Sequence, residues 1–229
     1  MTKYALLIPA AGVGARMKIG YPKQYMPVSE KRTLLEVTLN RLHAMGLFSE
    51  IAVVVAPTDP YIDHQNLPTG IKVFRCGGAT RGESVLNGLR AFNLSLDTWV
   101  FVHDAARPCV TKKNMMDLIQ AIEKGDVDGA ILAQPMTDTV KWVNEEGIIE
   151  KTLDRRRCWR AQTPQAFQAG SLIQALQKGP ANFTDEASAM EALSARIKVV
   201  EGSANNMKVT HPEDVALVKK LISDLGEQL

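Results

Sequence analysis

The sequence predicts an α/β fold, a mostly parallel sheet flanked by helices, and three observations carry that prediction. Six short apolar, β-branched runs alternate with amphipathic segments along 229 residues. The runs lack the polar alternation of a sheet wetted on one side, as do strands covered on both faces. The first run also opens straight into Pro9-Ala10-Ala11-Gly12-Val13-Gly14-Ala15-Arg16-Met17, small residues and glycines at the strand edge where such sheets take ligands.

In chain order the strands read as Tyr4–Ile8, Ile51–Val55, Ile71–Phe74, Trp99–His103, Ala130–Ala133 and Ile197–Val200, all buried on both faces. Between them, apolar residues recur at helical spacing over Leu34–Met45, Val85–Phe92, Met115–Lys124, Leu172–Lys178 and Val215–Leu225. Strand alternating with helix argues right-handed crossovers and a parallel sheet. One region breaks the rhythm. Thr139–Asn144 and Ile148–Leu153 alternate polar and apolar residues around Glu145-Glu146-Gly147, the pattern of a β-hairpin. A lone hairpin is marginal in water. With Trp142, Val140, Ile149 and Leu153 to cover, it reads as a projecting dimerisation arm over about residues 135–158; the alternative is a hairpin folded back on its own domain.

No repeat, low-complexity tract or linker divides the chain, so residues 1–229 read as one domain. A net charge of +2 gives no bulk attraction to nucleic acid or membrane, so any anion binding must be local. Cys76, Cys109 and Cys158 are widely spaced with no CxxC pair, which reads as reduced thiols in a cytoplasmic protein without a zinc site. No apolar run approaches the roughly 18 residues of a spanning helix, and Pro9 interrupts the N-terminal one too early for a signal peptide.

In the first loop, Gly12 and Gly14 let backbone N–H groups approach a phosphate, and Arg16 and Lys23 add two cations. The same turn could be a plain tight connection. It is not a dinucleotide fingerprint, because Met17 stands where the third glycine belongs, nor a Walker A loop. His103-Asp104-Ala105-Ala106-Arg107-Pro108 ends the fourth strand. Asp104 there could hold Mg²⁺ or a substrate hydroxyl, or could cap a turn and pair with Arg107, while His103 reads as structural. Gly77-Gly78-Ala79-Thr80-Arg81-Gly82-Glu83-Ser84 enters a helix, either as a conventional helix start or with N–H groups presented to a base edge or phosphate. Near the C-terminus, Thr210 and Glu213 form a capping-box pattern with Pro212 in the first turn, and Lys208 precedes it.

Taken in order, these segments resemble the 2-C-methyl-D-erythritol 4-phosphate cytidylyltransferase family of nucleotidyltransferases. The resemblance also rests on Pro22-Lys23-Gln24-Tyr25, Asp138-Thr139-Val140-Lys141, Thr152-Leu153-Asp154-Arg155, Gln162-Thr163-Pro164-Gln165, Thr184-Asp185-Glu186-Ala187 and Lys208-Val209-Thr210. It implies a Rossmann-like fold, Mg²⁺ dependence, and a homodimer whose arms complete each other's sites. The implied reaction is CTP plus methylerythritol phosphate giving the cytidine diphospho sugar alcohol and pyrophosphate. Arg16, Lys23 and Lys208 would be the catalytic cations, with Ala10, Ala11, Gly12, Gly14, Gly78 and Ser84 completing the CTP site. Asp104, Arg107, Thr139 and Arg155 would bind the acceptor, and Asp104 the metal. Ala79 departs from members with an acidic residue there, and Arg156 and Arg157 read as solvated. A ribitol 5-phosphate enzyme of the same fold is the nearest alternative, and a non-catalytic nucleotide-binding protein the next. Nothing after Leu229 suggests a fused second enzyme.

Overall fold

The computed structural model describes residues 3–12, 20–28, 31–178 and 183–224. Its strands are β1 (Tyr4–Pro9), β2 (Glu50–Val54), β3 (Lys72–Phe74), β4 (Trp99–Val102), β5 (Gly129–Pro135), β6 (Lys141–Val143), β7 (Ile149–Thr152), β8 (Trp159–Gln168) and β9 (Ile197–Glu201). The helices are α1 (Leu34–Ala44), α2 (Arg81–Phe92), α3 (Lys112–Glu123), α4 (Ala169–Lys178), α5 (Glu186–Glu191) and α6 (Asp214–Asp224). Seven strands form one sheet in the order β3-β2-β1-β4-β8-β5-β9, in which β8 alone runs antiparallel to its neighbours.

The period of two along each strand sorts the core into two faces. Leu6 and Ile8 point with Val53 and Phe101 to one side, where α1 supplies Leu35 and Leu39 and α3 supplies Met115 and Leu118. Ala5 and Leu7 point with Val54 and Val100 to the other, against Val85 and Leu89 of α2 and Leu172 of α4. Central strands are therefore apolar on both sides, as their sequences predict. The edge strands are not. In β3 and β9, Val73 and Val199 are exposed, so the expectation of full burial there is corrected: nothing packs beyond an edge.

Helix α1 begins at Leu34 as its periodicity predicts, while α2 and α3 begin earlier because their first turns are polar caps. Thr80 accepts from Glu83 N while Glu83 reaches back to Thr80 N, which starts α2 four residues before Val85; Thr111 and Asn114 do the same for α3. The Thr210–Glu213 box does not form. Asp214 instead accepts from Thr210 N (2.7 Å) and His211 N (2.8 Å), and the Thr210 hydroxyl donates to Lys208 O.

Strand β8 and helix α5 were not legible. The stretch from Trp159 to Gln168 is rich in glutamine and contains Pro164, which cannot donate to a ladder. The β5–β8 pairing jumps from Ile131↔Gln165 to Ala133↔Ala161, so residues 162–164 leave the regular ladder and their side chains serve the site. Beyond Pro135↔Trp159, β6 and β7 pair only with each other, as the alternation at 139–153 predicts. Trp142, Ile148 and Ile149 are each more than half exposed, so the hairpin is not folded back on its own chain. Among the described residues no helix is long and apolar enough to cross a membrane.

Candidate active site

A cavity of about 480 Å³ opens at the C-terminal ends of β1 and β4, the edge where the sequence places its loops. Ala10, Ala11 and Gly12 form one wall, and Ala10 N is tied to Val54 O at 2.7 Å. Gly14 and Arg16 lie outside the described residues. Lys23 joins the cavity from a 3-10 turn, Lys23–Tyr25, that is pinned behind it. Gln24 Nε2 donates to Ala10 O (2.5 Å), and the Tyr25 hydroxyl donates to Asp59 Oδ2 (2.8 Å). Lys23 Nζ donates to Val209 O at 3.0 Å, which draws it toward the segment carrying Lys208.

The glycine-rich loop forms the opposite wall, with Gly78, Ala79, Thr80, Arg81 and Ser84 lining it. Its glycine pair reflects close packing: a Cβ on Gly77 would sit 2.3 Å from Ala11 Cβ, and one on Gly78 would sit 2.5 Å from Glu83 Cβ. Of the two readings the sequence leaves open, the conventional helix start is the one seen at Gly78, Ala79 and Thr80. Gly78 N donates to Ser84 Oγ (3.0 Å), while Ala79 N and Thr80 N donate to Glu83 Oε2 (2.7 and 3.3 Å). The Ser84 hydroxyl in turn donates to Thr80 O. The helix cap and the ligand would compete for the same donors, and the cap has them.

Asp104 is the hub. Arg81 Nε lies 3.1 Å from its Oδ1; Lys208 Nζ lies 2.7 Å and Arg107 Nε 3.6 Å from its Oδ2. Arg81 also forks onto Glu186, Nη1 to Oε1 at 2.6 Å and Nη2 to Oε2 at 3.0 Å. Three cations against two carboxylates leave one surplus positive charge in a largely buried cluster. Burial alone would raise the Asp104 carboxyl, but Arg81, Lys208 and Arg107 overcome it and hold it well below the usual carboxylate range. Burial likewise depresses Arg81, and the Glu186 and Asp104 charges outweigh it and raise the guanidinium above its ordinary value. Arg107 goes the other way, lowered by burial despite Asp104.

The backbone around this hub is braced by β8. Asp104 N donates to Thr163 Oγ1 (3.0 Å), and Asn206 Nδ2 donates to Thr163 O (2.8 Å). His103 Nε2 lies 2.9 Å from Arg107 O, an acceptor, so the network assigns its proton to Nε2. Nδ1 then accepts from the Thr163 hydroxyl at 3.0 Å. Burial pushes His103 down to about 4, against the pull of Arg107 O, so it is a neutral brace, as the sequence reading holds. Val209 N donates to Ala106 O (2.8 Å), which fixes Lys208 beside Asp104.

The structure thus gathers Ala10, Ala11, Gly12, Lys23, Gly78, Ser84, Asp104 and Lys208 around one cavity. Arg107 stands behind Asp104, its Nη1 donating to Asn206 O (2.8 Å), and does not line the cavity. Thr139 and Arg155 are exposed on the arm, away from it, and Arg155 Nη1 donates to Thr137 O. Neighbouring Arg156 is forked onto Asp154. Sequence reasoning assigned no role to Arg81, Glu186, Gln24 or Thr163, although all four fall in segments that carry the resemblance. Their only signal was a polar side chain inside a matched motif.

The family model described as IspD, 2-C-methyl-D-erythritol 4-phosphate cytidylyltransferase, matches residues 4–224. A protein of that name from Haemophilus influenzae (strain Rd) is 47% identical over 216 residues, 93% of each chain. One from Nitrosomonas eutropha is 40% identical over 231 residues, covering 98% of each. A crystal structure of 4-diphosphocytidyl-2C-methyl-D-erythritol synthase superposes with a TM-score of 0.83 at 37% identity, over 97% of this chain and 99% of that one. The Francisella tularensis 2-C-methyl-D-erythritol 4-phosphate cytidylyltransferase superposes with a TM-score of 0.81 at 36% identity, over 96% and 100%.

Proposed function

Because the chain belongs to the 2-C-methyl-D-erythritol 4-phosphate cytidylyltransferase family, we propose that it transfers the cytidylyl group of CTP to the phosphate of 2-C-methyl-D-erythritol 4-phosphate. An oxygen of the acceptor phosphate attacks the α-phosphorus in line, the bond to the bridging oxygen breaks, and pyrophosphate leaves. The observation that carries this reading is the convergence of Lys23 and Lys208 on one cavity whose buried charge cluster has a cation in excess.

Repulsion is the physical obstacle. A phosphate monoester, with a second pKa of about 6, is largely dianionic at neutral pH and needs no base to become a nucleophile. What it needs is positioning and neutralisation of the charge that spreads over the five-coordinate phosphorus. Lys23 and Lys208 supply that within the described residues; the family resemblance adds Arg16, which lies outside them, as a third cation. Ala10, Ala11, Gly12 and Gly14 admit the triphosphate. In the base pocket the N–H groups of Gly78, Ala79 and Thr80 are taken by the helix cap, which leaves that stretch to meet a base through its carbonyl acceptors. They suit the exocyclic amine of cytosine, which uracil lacks.

Asp104 faces the sugar alcohol, and Arg107, standing behind it, acts through Asp104. Thr139 and Arg155 bind the phosphate of the acceptor held by the neighbouring subunit, with the exposed Trp142, Ile148 and Ile149 seating the arm in a homodimer. Magnesium fits this donor set only as a companion of the triphosphate. Asp104 is the single carboxylate lining the cavity, cations take both its oxygens, and among the described residues no three acidic, His or Cys side chains cluster. The sequence assignment of Asp104 to the metal therefore gives way to a role as the anchor of the cations. All three cysteines are free, in keeping with a reducing cytoplasm.

The test is pyrophosphate release from CTP and magnesium with methylerythritol phosphate or ribitol 5-phosphate supplied separately, and with UTP in place of CTP. Release with methylerythritol phosphate and CTP alone is expected. Release only with ribitol 5-phosphate would move the acceptor assignment, and release with neither would refute the reaction.

A further inference from the structure

Arg81 has no part in the reaction chemistry as drawn, yet it joins both buried carboxylates of the site. It rises from the first turn of α2, forks onto Glu186 at the start of α5, and gives its Nε to Asp104. Glu186 is 1% exposed and 105 residues away in sequence, so the contact exists only in the folded site. Lys208, meanwhile, sits 2.7 Å from the other oxygen of Asp104, and both Arg81 and Lys208 line the cavity.

A carboxylate shared among cations holds each of them less tightly than it would hold one alone, because the cations repel one another across it. Resting on the reading of this cavity as a CTP site, we propose that Arg81 is a positioning residue: clamped by Glu186, it competes for Asp104 and so keeps Lys208 able to leave that carboxylate for the phosphates of CTP. The planar guanidinium suits the task, since its fork can grip Glu186 with two N–H groups while Nε faces Asp104. Lysine at position 81 could not make both contacts in that geometry.

The decisive variant removes Arg81 and Glu186 together, as Arg81→Met with Glu186→Leu. It deletes one positive and one negative charge, so the net charge of the site is unchanged, and neither partner is left buried alone. With Arg81 gone, Asp104 holds Lys208 more tightly, and the dissociation constant of magnesium–CTP, measured calorimetrically without acceptor, is expected to rise about tenfold. Because Asp104→Asn removes a negative charge in any background, its effect is compared in both: it should tighten magnesium–CTP binding about tenfold more in the pair variant than in the wild type, a coupling that a merely structural role for Arg81 would not show. If the apolar pair does not fold by circular dichroism, the polar pair Arg81→Gln with Glu186→Gln carries the same test. Unchanged affinity in the pair variant, or equal tightening by Asp104→Asn in both backgrounds, overturns the proposal. A wild type that does not bind magnesium–CTP would instead overturn the reading of the cavity, and the proposal with it.

Discussion

Replacing Gly77 with alanine asks two loops to occupy the same space. A Cβ there would lie 2.3 Å from Ala11 Cβ, 2.9 Å from Val55 O and 3.2 Å from Val55 C. Carbon atoms in contact sit at about 3.5–4.0 Å, so the shortfall against Ala11 exceeds about 1 Å. Neither neighbour can yield cheaply. Ala11 Cβ is one bond from its backbone, and the Val55 carbonyl is itself the acceptor of Gly77 N. The glycine loop must therefore move away from the first loop by about an ångström, at the roughly 1–3 kcal/mol of an overpacked contact.

That movement should affect catalysis more than stability, because both loops line the cavity. A misplacement of about 1 Å at a site that works by positioning is worth about 10²-fold in rate, so kcat/KM for pyrophosphate release should fall by that order while the protein still melts cooperatively. Gly82→Ala is the matched control. A Cβ there meets nothing closer than 4.0 Å, and alanine in the first turn of α2 should stabilise by up to about 1 kcal/mol with activity intact. If Gly77→Ala turns over within about threefold of wild type while folded, the argument that the two loops set the width of the site is wrong.

The remaining expectations concern charge. Lys23→Ala and Lys208→Ala should each cut kcat by about 10²-fold or more, the usual cost of one preorganised donor, and near-normal turnover in both would end the electrostatic account. His103 binds its proton at about 4 in the native state and about 6.5 when unfolded, so acid favours unfolding. Stability should fall by about 3 kcal/mol as pH drops from about 6.5 to about 4, and His103→Asn should flatten that slope in urea melts; an unchanged slope would remove His103 from the explanation. Mixing Lys23→Ala subunits with Arg155→Ala subunits should restore activity that neither has alone. A mixed dimer that exchanges subunits yet stays inactive would mean that the arm serves its own chain.

Much of this site was legible because its loops follow strands that announce themselves. β1 and β4 are apolar on both faces, so Tyr4–Ile8 and Trp99–His103 mark the sheet edge and hence the places of Ala10–Gly12 and Asp104. The hairpin was legible for the opposite reason, polar and apolar residues alternating about Gly147. Strand β8 was hidden because what stabilises it is remote. Gln165 accepts from Ala187 N (2.8 Å) and donates to Asp185 Oδ2 (2.8 Å); Gln162 Nε2 donates to Ser203 O (3.0 Å). Buried amides of this kind are stable only once their partners arrive, and no local periodicity encodes partners 20 and 41 residues away.

The same remoteness explains why Lys23 and Lys208 could be named as candidate phosphate ligands but the charges that hold Lys208 could not. Three cations set side by side beneath a cavity would repel one another and resist burial in the absence of ligand. Asp104 and Glu186 remove that obstacle, yet one carboxylate too many would cancel the field that a triphosphate needs. The surplus of a single positive charge is the compromise, and it depends on which groups are paired rather than on which are present. Arg81 and Glu186 neutralise each other, so deleting them together leaves the field on CTP nearly unchanged and alters only the hold on Lys208. Deleting Asp104 adds a full positive charge to the cluster and should strengthen magnesium–CTP binding while weakening the acceptor. Asp104→Asn should therefore lower the dissociation constant for CTP and raise KM for methylerythritol phosphate, opposite shifts that a simple loss of structure could not produce.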